Sequence, residues 1–303
     1  MKLKNLFVTL SALIFIISVG RVQAQIDLWH FDEGSGTTTT DSTGSNPGTL
    51  YGSPLWVSGI SISALHFNGS GQYVEVSANS ILSNLNGGGQ VQNFTIEAWL
   101  KWDGGGVAGS QSVYGEGDAV GSPGVELFLN SGVPSFFVNN VSTGGKTVSG
   151  TSSLPAGQWH HLAGVLQSGV GGILYVDGQV VATNASIGTL WPPYGGQSDI
   201  GRGIFTANAD YFDGTIDEVQ LFNTARSASQ VLADYQQYTV QLNIASAGNQ
   251  SVLFWPASAT NYVLQSTTNL ASPKWVTVSN GTPIIGVTLT NNLPVAFFRL
   301  QQQ

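Results

Sequence analysis

The chain carries few side chains that could do chemistry, and the most conspicuous are two adjacent carboxylates, Asp217 and Glu218, in the run YFDGTIDEVQLFNTARS from Tyr211 to Ser227. Glycosidic bond cleavage with retention needs two carboxyls converging on one bond, about 5–5.5 Å apart. Read as a strand, the run places Phe212, Gly214, Ile216, Glu218 and Gln220 on one face and Asp213, Thr215, Asp217, Val219 and Leu221 on the other. Neighbouring carboxylates on opposite faces cannot serve one bond. Glu97 stands alone in NFTIEAWLKW, and Glu116 and Asp118 have the right parity but lie in a glycine-rich stretch. A hydrolase or lyase would have to work through these three. His160 and His161, neighbours on a predicted strand, point apart and cannot chelate one metal. His30 and His66 sit singly among apolar residues, the setting of structural histidines. The chain has no G-x-S-x-G elbow and no cysteine, so nothing supports a serine or thiol nucleophile.

Binding is better supplied. A sugar is recognised by aromatic faces against its apolar side and polar groups at its hydroxyls. Trp191 and Tyr194 in TLWPPYGG supply such faces on a loop stiffened by two prolines, with Tyr114 and Tyr211 as further candidates. A glycan or cell-surface ligand is the partner this set predicts. The loop DSTGSNPG, Asp41 to Gly48, is rich in oxygen donors and suits a hard cation such as calcium; the same residues also suit an Asx-turn at Asp41.

These residues must be positioned by strands. The chain has 39 glycines and 11 prolines, and only 9% of its residues are charged, with short apolar alternations between Gly, Asn and Ser clusters. The clearest strand is 93–102, where Phe94, Ile96, Ala98, Leu100 and Trp102 share one face and Thr95, Glu97, Trp99 and Lys101 the other. Strands are also predicted at 159–166 and 173–176, the latter turning back through Asp177-Gly178 into 179–182. One helix is predicted over 227–236, opened by a Ser227 and Gln230 capping box, with Val231, Leu232 and Tyr235 as its apolar stripe. Glycine-rich loops are expected at 86–90, 103–109 and 115–124. From residue 238 the alternations become short and evenly spaced, which predicts a small second sandwich over 238–303.

Lys2 and Lys4 precede an apolar run from Leu6 to Val19, and Val22-Gln23-Ala24 has the small residues of a cleavage site. Residues 1–24 therefore read as a signal peptide, which predicts a secreted or surface-located protein with no membrane span after cleavage. Removing Lys2, Lys4 and Arg21 from nine basic residues leaves six against seventeen acidic ones, a net charge of −11. Such a balance argues against nucleic acid, since phosphate binding needs a basic surface.

Taken in order, LWHFDEGSGTTTTDSTGSNPGTL, ALHFNGSGQYVEV, NFTIEAWLKW, GQWHHLAGVL, GILYVDGQVV, DIGRG and FDGTIDEVQLFNTARS resemble the secreted bacterial laminin-G-like, concanavalin A-like jellyroll family over residues 26–236. The resemblance implies an all-β fold, a two-sheet antiparallel jellyroll sandwich over 25–237, with six or seven strands per sheet and the first and last strands adjacent. The stretch FWPASATNYVLQSTTNLASPKWVTV and the closing FFRL are similar to C-terminal modules of secreted proteins, implying an immunoglobulin- or fibronectin-like sandwich as spacer or attachment module. Some members of the jellyroll family bind calcium where a D-x-x-G loop lies near the acidic closing strand, which makes Asp41 and Asp217 the candidate ligands and calcium the candidate cofactor. The chain thus reads as a secreted, non-catalytic carbohydrate-binding or adhesion protein. A glycan-degrading hydrolase or lyase and a structural matrix component stand as alternatives.

Overall fold

The computed structural model describes residues 25–77, 81, 82, 85, 87, 89–105, 109–117, 123–140, 144–190, 196–204 and 210–239, then 243–247, 250–254, 262–269, 272–278, 286–290 and 297–302. The leader, Asp118, Trp191 and Tyr194 lie outside the described residues. Two eight-stranded antiparallel sheets face each other. The first comprises β1 (Gln25–Trp29), β4 (Leu55–Ser58), β5 (Ser63–Asn68), β7 (Phe94–Trp102), β12 (Trp159–Gln167), β13 (Gly171–Val176), β14 (Gln179–Asn184) and β16 (Asp213–Phe222). Its order is β14-β13-β12-β7-β16-β5-β4, with β1 also pairing β16. The second comprises β2 (Thr38–Thr39), β3 (Gly48–Tyr51), β6 (Tyr73–Ser77), β8 (Ser110–Gly117), β9 (Pro123–Asn130), β10 (Val133–Asn140), β11 (Gly144–Ser149) and β15 (Ser198–Ile200), in the order β11-β10-β9-β8-β15-β6-β3-β2. Each sheet is larger than the resemblance implies, and part of the expected 115–124 loop is strand, in β8 and β9.

The core between the sheets follows the period of two. Phe94, Ile96, Ala98 and Leu100 of β7 enter it with Leu162 and Leu166 of β12, and Val125, Leu127 and Leu129 of β9 meet them with Phe136 and Val138 of β10. At Gly164 a Cβ would stand 2.4 Å from the Phe136 ring, so the missing side chain is what lets that ring seat against β12. The β13–β14 hairpin turns at Asp177 (φ 50°) and Gly178 (φ 73°), the pair of positive values its sequence predicts.

Helix α1 (Ala228–Tyr238) follows β16 directly, and the Ser227 N–H donates to Gln230 Oε1 at 2.9 Å as the capping box requires. The helix packs outside the sandwich. Val231 is buried against Ala163, Val165, Ile173 and Tyr175, the outward residues of β12 and β13. Beyond it lie two three-stranded antiparallel sheets: β17 (Asn243–Ala247), β18 (Gln250–Phe254) and β21 (Gly286–Thr290), then β20 (Val276–Thr277), β19 (Tyr262–Thr267) and β22 (Phe297–Gln302). No helix among the described residues is long and apolar enough to cross a membrane.

Candidate functional site

The acidic closing strand does not keep the expected alternation. Pairing of β16 with β7 slips between Asp217 and Gln220, and Glu218 takes φ 49°. This is a β-bulge, one extra residue that bends the strand and re-aims its side chains. Ile216, Val219 and Leu221 all enter the core, so Asp217 no longer shares a face with Val219 and both carboxylates leave on the other side. Asp217 lies opposite Trp99 of β7. Its Oδ2 accepts from the Ile60 N–H at 2.9 Å and the Ser61 N–H at 3.3 Å, and its Oδ1 from the Glu218 N–H at 2.9 Å. Burial, and then the Glu218 charge, push its carboxyl up to about 8 against those donors.

Glu218 reaches a different neighbour. Its Oε2 lies 2.7 Å from His30 Nδ1, and Asp32 completes a group whose ligand atoms all fall within 4.8 Å of one another. His30, read from its apolar flanks as a structural histidine, is thus paired with a buried carboxylate. Burial raises the Glu218 carboxyl, while the Tyr238 hydroxyl of α1 and His30 oppose the rise. Among the described residues this is the one cluster of three such donors. A nitrogen beside two carboxylates suits zinc or manganese at least as well as calcium, which takes oxygens.

Asp41 turns inward on its own loop. Oδ1 accepts from the Leu28 and Thr43 N–H groups, both at 2.9 Å, and Oδ2 from those of Ser45 at 2.9 Å and Asn46 at 3.1 Å. Burial works to raise its pKa, but the Thr43 hydroxyl and the backbone donors outweigh burial and hold it at about 2. Asp41 and Asp217, the two expected calcium ligands, therefore each tie down a separate stretch of backbone and share no hydrogen-bond partner.

The outward face of the first sheet is closed. Trp99 stacks on Tyr235 of α1 with ring centroids 5.6 Å apart, and Glu97 beside it is fully buried. Its carboxylate lies 3.3 Å from His161 Nε2 and 3.2 Å from Arg226 Nε, and Arg226 also pairs with Asp234 of α1. No substrate reaches a carboxylate held this way. His160 points the other way, to Asp177 at 2.8 Å, as the strand parity predicts.

The outward face of the second sheet is different. Pairing across β3, β6, β15, β8 and β9 aligns Thr49, Glu75, Asp199, Gly115 and Glu126 in one row. Next to it, Tyr51 and Tyr73 face each other and stack, centroids 4.8 Å apart and 7° from parallel. Tyr211 lies 6.4 Å from Tyr73, and the Arg202 guanidinium sits 3.6 Å over the Tyr73 ring. Arg202 is fixed by its Nε, which donates to Asp199 Oδ2 at 2.7 Å, while the Gln197 amide donates to Asp199 Oδ1 at 3.0 Å and Glu75 Oε2 at 3.2 Å. Burial lifts Asp199 to about 6 despite Arg202 and Gln197. Tyr51 is 41% exposed and Tyr211 half-buried.

Of the tyrosines singled out by sequence, Tyr211 is on this surface and Tyr114 is not. Tyr114 is fully buried between the sheets, its hydroxyl donating to Glu116 Oε2 at 3.1 Å, so its ring cannot meet a sugar. Glu116 is itself 1% exposed and also accepts from the Leu82 N–H at 2.8 Å. Leu190, which precedes Trp191 in the chain, bridges to Val91, in the wall of a cleft of about 420 Å³ that Gln90, Gln92, Asn93 and Asn223 also line. Sequence reading missed Tyr51, Tyr73, Arg202 and Asp199. The DIGRG run contains the last two, but it entered the sequence reading only as part of the family resemblance, with no role assigned to either residue.

The sandwich, its outward aromatic row and its acidic closing strand define a laminin-G-like β-sandwich protein. The chain belongs to the concanavalin A-like lectin/glucanases superfamily, whose laminin-G model matches residues 68–232. No curated protein matches it. Among solved structures it is similar to domain 4 of AbnA, an extracellular arabinanase of Geobacillus stearothermophilus, in complex with arabinotriose. That likeness has a TM-score of 0.50 at 19% identity, over 70% of this chain and 98% of that one. It is also similar to the ligand binding domain of botulinum neurotoxin serotype D in complex with N-acetylneuraminic acid, with a TM-score of 0.53 at 11% identity over 84% and 68% of the two chains. A Trypanosoma rangeli sialidase matches with a TM-score of 0.50 at 16% identity, over 70% of this chain but only 32% of the enzyme. At these identities the likeness is one of fold.

Proposed function

We propose that this is an exported, non-catalytic carbohydrate-binding protein whose saccharide surface is the outward face of the second sheet. The observation that carries the reading is the row of Tyr51, Tyr73 and Tyr211 beside Arg202. Arg202 and Tyr51 hold Tyr73 from its two faces, so the platform is rigid before any ligand arrives, which lowers the ordering cost of binding. Glu75 and Gln197 supply polar groups at its edge for hydroxyls. The arabinotriose and N-acetylneuraminic acid held by two of the similar folds support the class of ligand. Glu97 and Glu116, two of the carboxylates a hydrolase would use, are buried and engaged, which supports binding without cleavage. Residues 238–303 serve in this reading as spacer or attachment module, and the His30, Asp32 and Glu218 group is where a cation would make binding metal-dependent.

A glycan array with the full chain, with and without chelator, tests the proposal. Binding is expected to fall about tenfold in Tyr51→Ala and in Tyr211→Ala, the worth of one stacked ring. Absence of binding to every glycan, or binding that both substitutions leave intact, would overturn it.

A further inference from the structure

The cleft beside Val91 takes no part in the tyrosine row. Its volume of about 420 Å³ falls within the roughly 300–1,000 Å³ of small-ligand sites. Leu85, Gln90, Val91, Gln92, Asn93 and Asn223 line it. Asn93 directly precedes β7 and Asn223 directly follows β16, and the pairing of Thr95 with Phe222 brings the two together. Backbone on both sides is tied in place. Val91 and Leu190 exchange hydrogen bonds of 3.2 Å and 2.8 Å. Thr95 Oγ1 donates to the Thr224 carbonyl at 2.8 Å and accepts from the Arg226 N–H at 3.0 Å, which fixes the chain just after Asn223.

Four of the six lining side chains are carboxamides, and none is charged. Each carboxamide offers two N–H donors and one acceptor oxygen. On two of them the oxygen is engaged: the Ser168 N–H donates to Asn93 Oδ1 at 3.0 Å and the Ser168 hydroxyl to Gln92 Oε1 at 3.4 Å. Their NH2 groups are left for a ligand, and Asn223 makes no side-chain hydrogen bond among the described residues. Leu85 and Val91 add a small aliphatic surface. Such a set suits hydroxyls, which accept from N–H groups and donate to amide oxygens. It suits a neutral ligand, because no charged side chain is there to compensate the desolvation of an ion. A peptide strand would want apolar pockets for alternate side chains, and this lining is mostly amide.

We infer that the amide-lined cleft is a second saccharide site, one that takes a short neutral sugar through hydrogen bonds from Gln92, Asn93 and Asn223 in place of ring stacking. It rests on the saccharide reading for the class of ligand alone and does not depend on the tyrosine row. With no cation in its lining, the cleft should reject sialylated and sulfated glycans.

Tyr51→Ala with Tyr211→Ala silences the row. The full chain in that background is applied to a glycan array and then titrated calorimetrically with the strongest neutral oligosaccharide on it. Neutral glycans are expected to bind, and sialylated or sulfated ones are not. Gln92→Ala with Asn223→Ala, at two exposed positions, is expected to weaken that binding on the order of tenfold with the melting temperature unchanged. If no neutral glycan binds in that background, or if the amide pair leaves binding unchanged, the inference is overturned. The two readings fail separately. Glycan binding by the parent that vanishes without the tyrosines sinks the cleft and keeps the row, whereas binding that survives their loss and falls with the amide pair does the reverse. Should the tyrosine background fail to fold, the amide pair in the parent decides: unchanged stoichiometry and affinity overturn the cleft.

Discussion

Replacing Asp41 with Asn probes how the N-terminal loop is held. The carboxylate accepts from the N–H groups of Leu28, Thr43, Ser45 and Asn46, and an amide has only one acceptor oxygen for them. Its pKa falls from 3.8 to about 2 on folding. At 1.36 kcal/mol per unit that is a contribution near 2 kcal/mol, discounted slightly for a position at the rim of the fold. The folded pKa is depressed, so the contribution is present above pH 4 and lost as pH falls through 2. Asp41→Asn should therefore lower the melting temperature at pH 7 by about 4–8 °C, with the gap to the parent closing near pH 2. Calorimetry at both pH values, with and without chelator, is the assay. Equal stability of parent and variant at pH 7 would refute the reasoning. A gap that chelator abolishes would show instead that Asp41 acts through a cation.

Arg226→Ala removes the guanidinium between the buried Glu97 and Asp234 and leaves Glu97 beside His161 and the Asp234 carboxyl, so urea unfolding should show a loss of about 3 kcal/mol, and α1 should become the first site of protease cleavage. Gly178→Ala meets Leu232 Cδ1 at 2.8 Å and a φ of 73°, and should lower stability by about 1–2 kcal/mol in the same measurement. Asp217 and Glu126 have folded pKa values raised to about 8, so the stability they contribute is full below pH 4 and is lost as pH rises through 8. In chelator, the melting temperature should fall between pH 5 and pH 9, and a flat profile would contradict the raised values.

Much of the sandwich was legible because its signals are local. The alternation of 93–102, the Asp177-Gly178 turn and the Ser227 capping box each need only a few consecutive residues, and each is where the sequence places it. The bulge at Glu218 was not legible, because it adds one residue to a strand without any change of composition that marks it. The His30 to Glu218 contact joins residues 188 positions apart, and only the pairing of β1 with β16 brings them together. Tyr51 and Tyr73 likewise become one platform only through the pairing of β3 with β6, whereas Tyr114 lost its expected role because a bulge in β8 turns it into the core.

The pairing of β1 with β16 has a mechanical meaning. Gln25, at the start of β1, lies beside Phe222, at the end of β16, so the chain enters and leaves this ladder at the same end. Tension drawn between entry and exit would load the hydrogen bonds in series and peel the strands apart one pair at a time, instead of shearing them together. Helix α1, held by Arg226 and Asp234 and packed on the first sheet, lies between β16 and everything that follows. A pull from the C-terminal side must strip that helix away before the ladder feels it, which makes α1 the latch on an otherwise soft zipper.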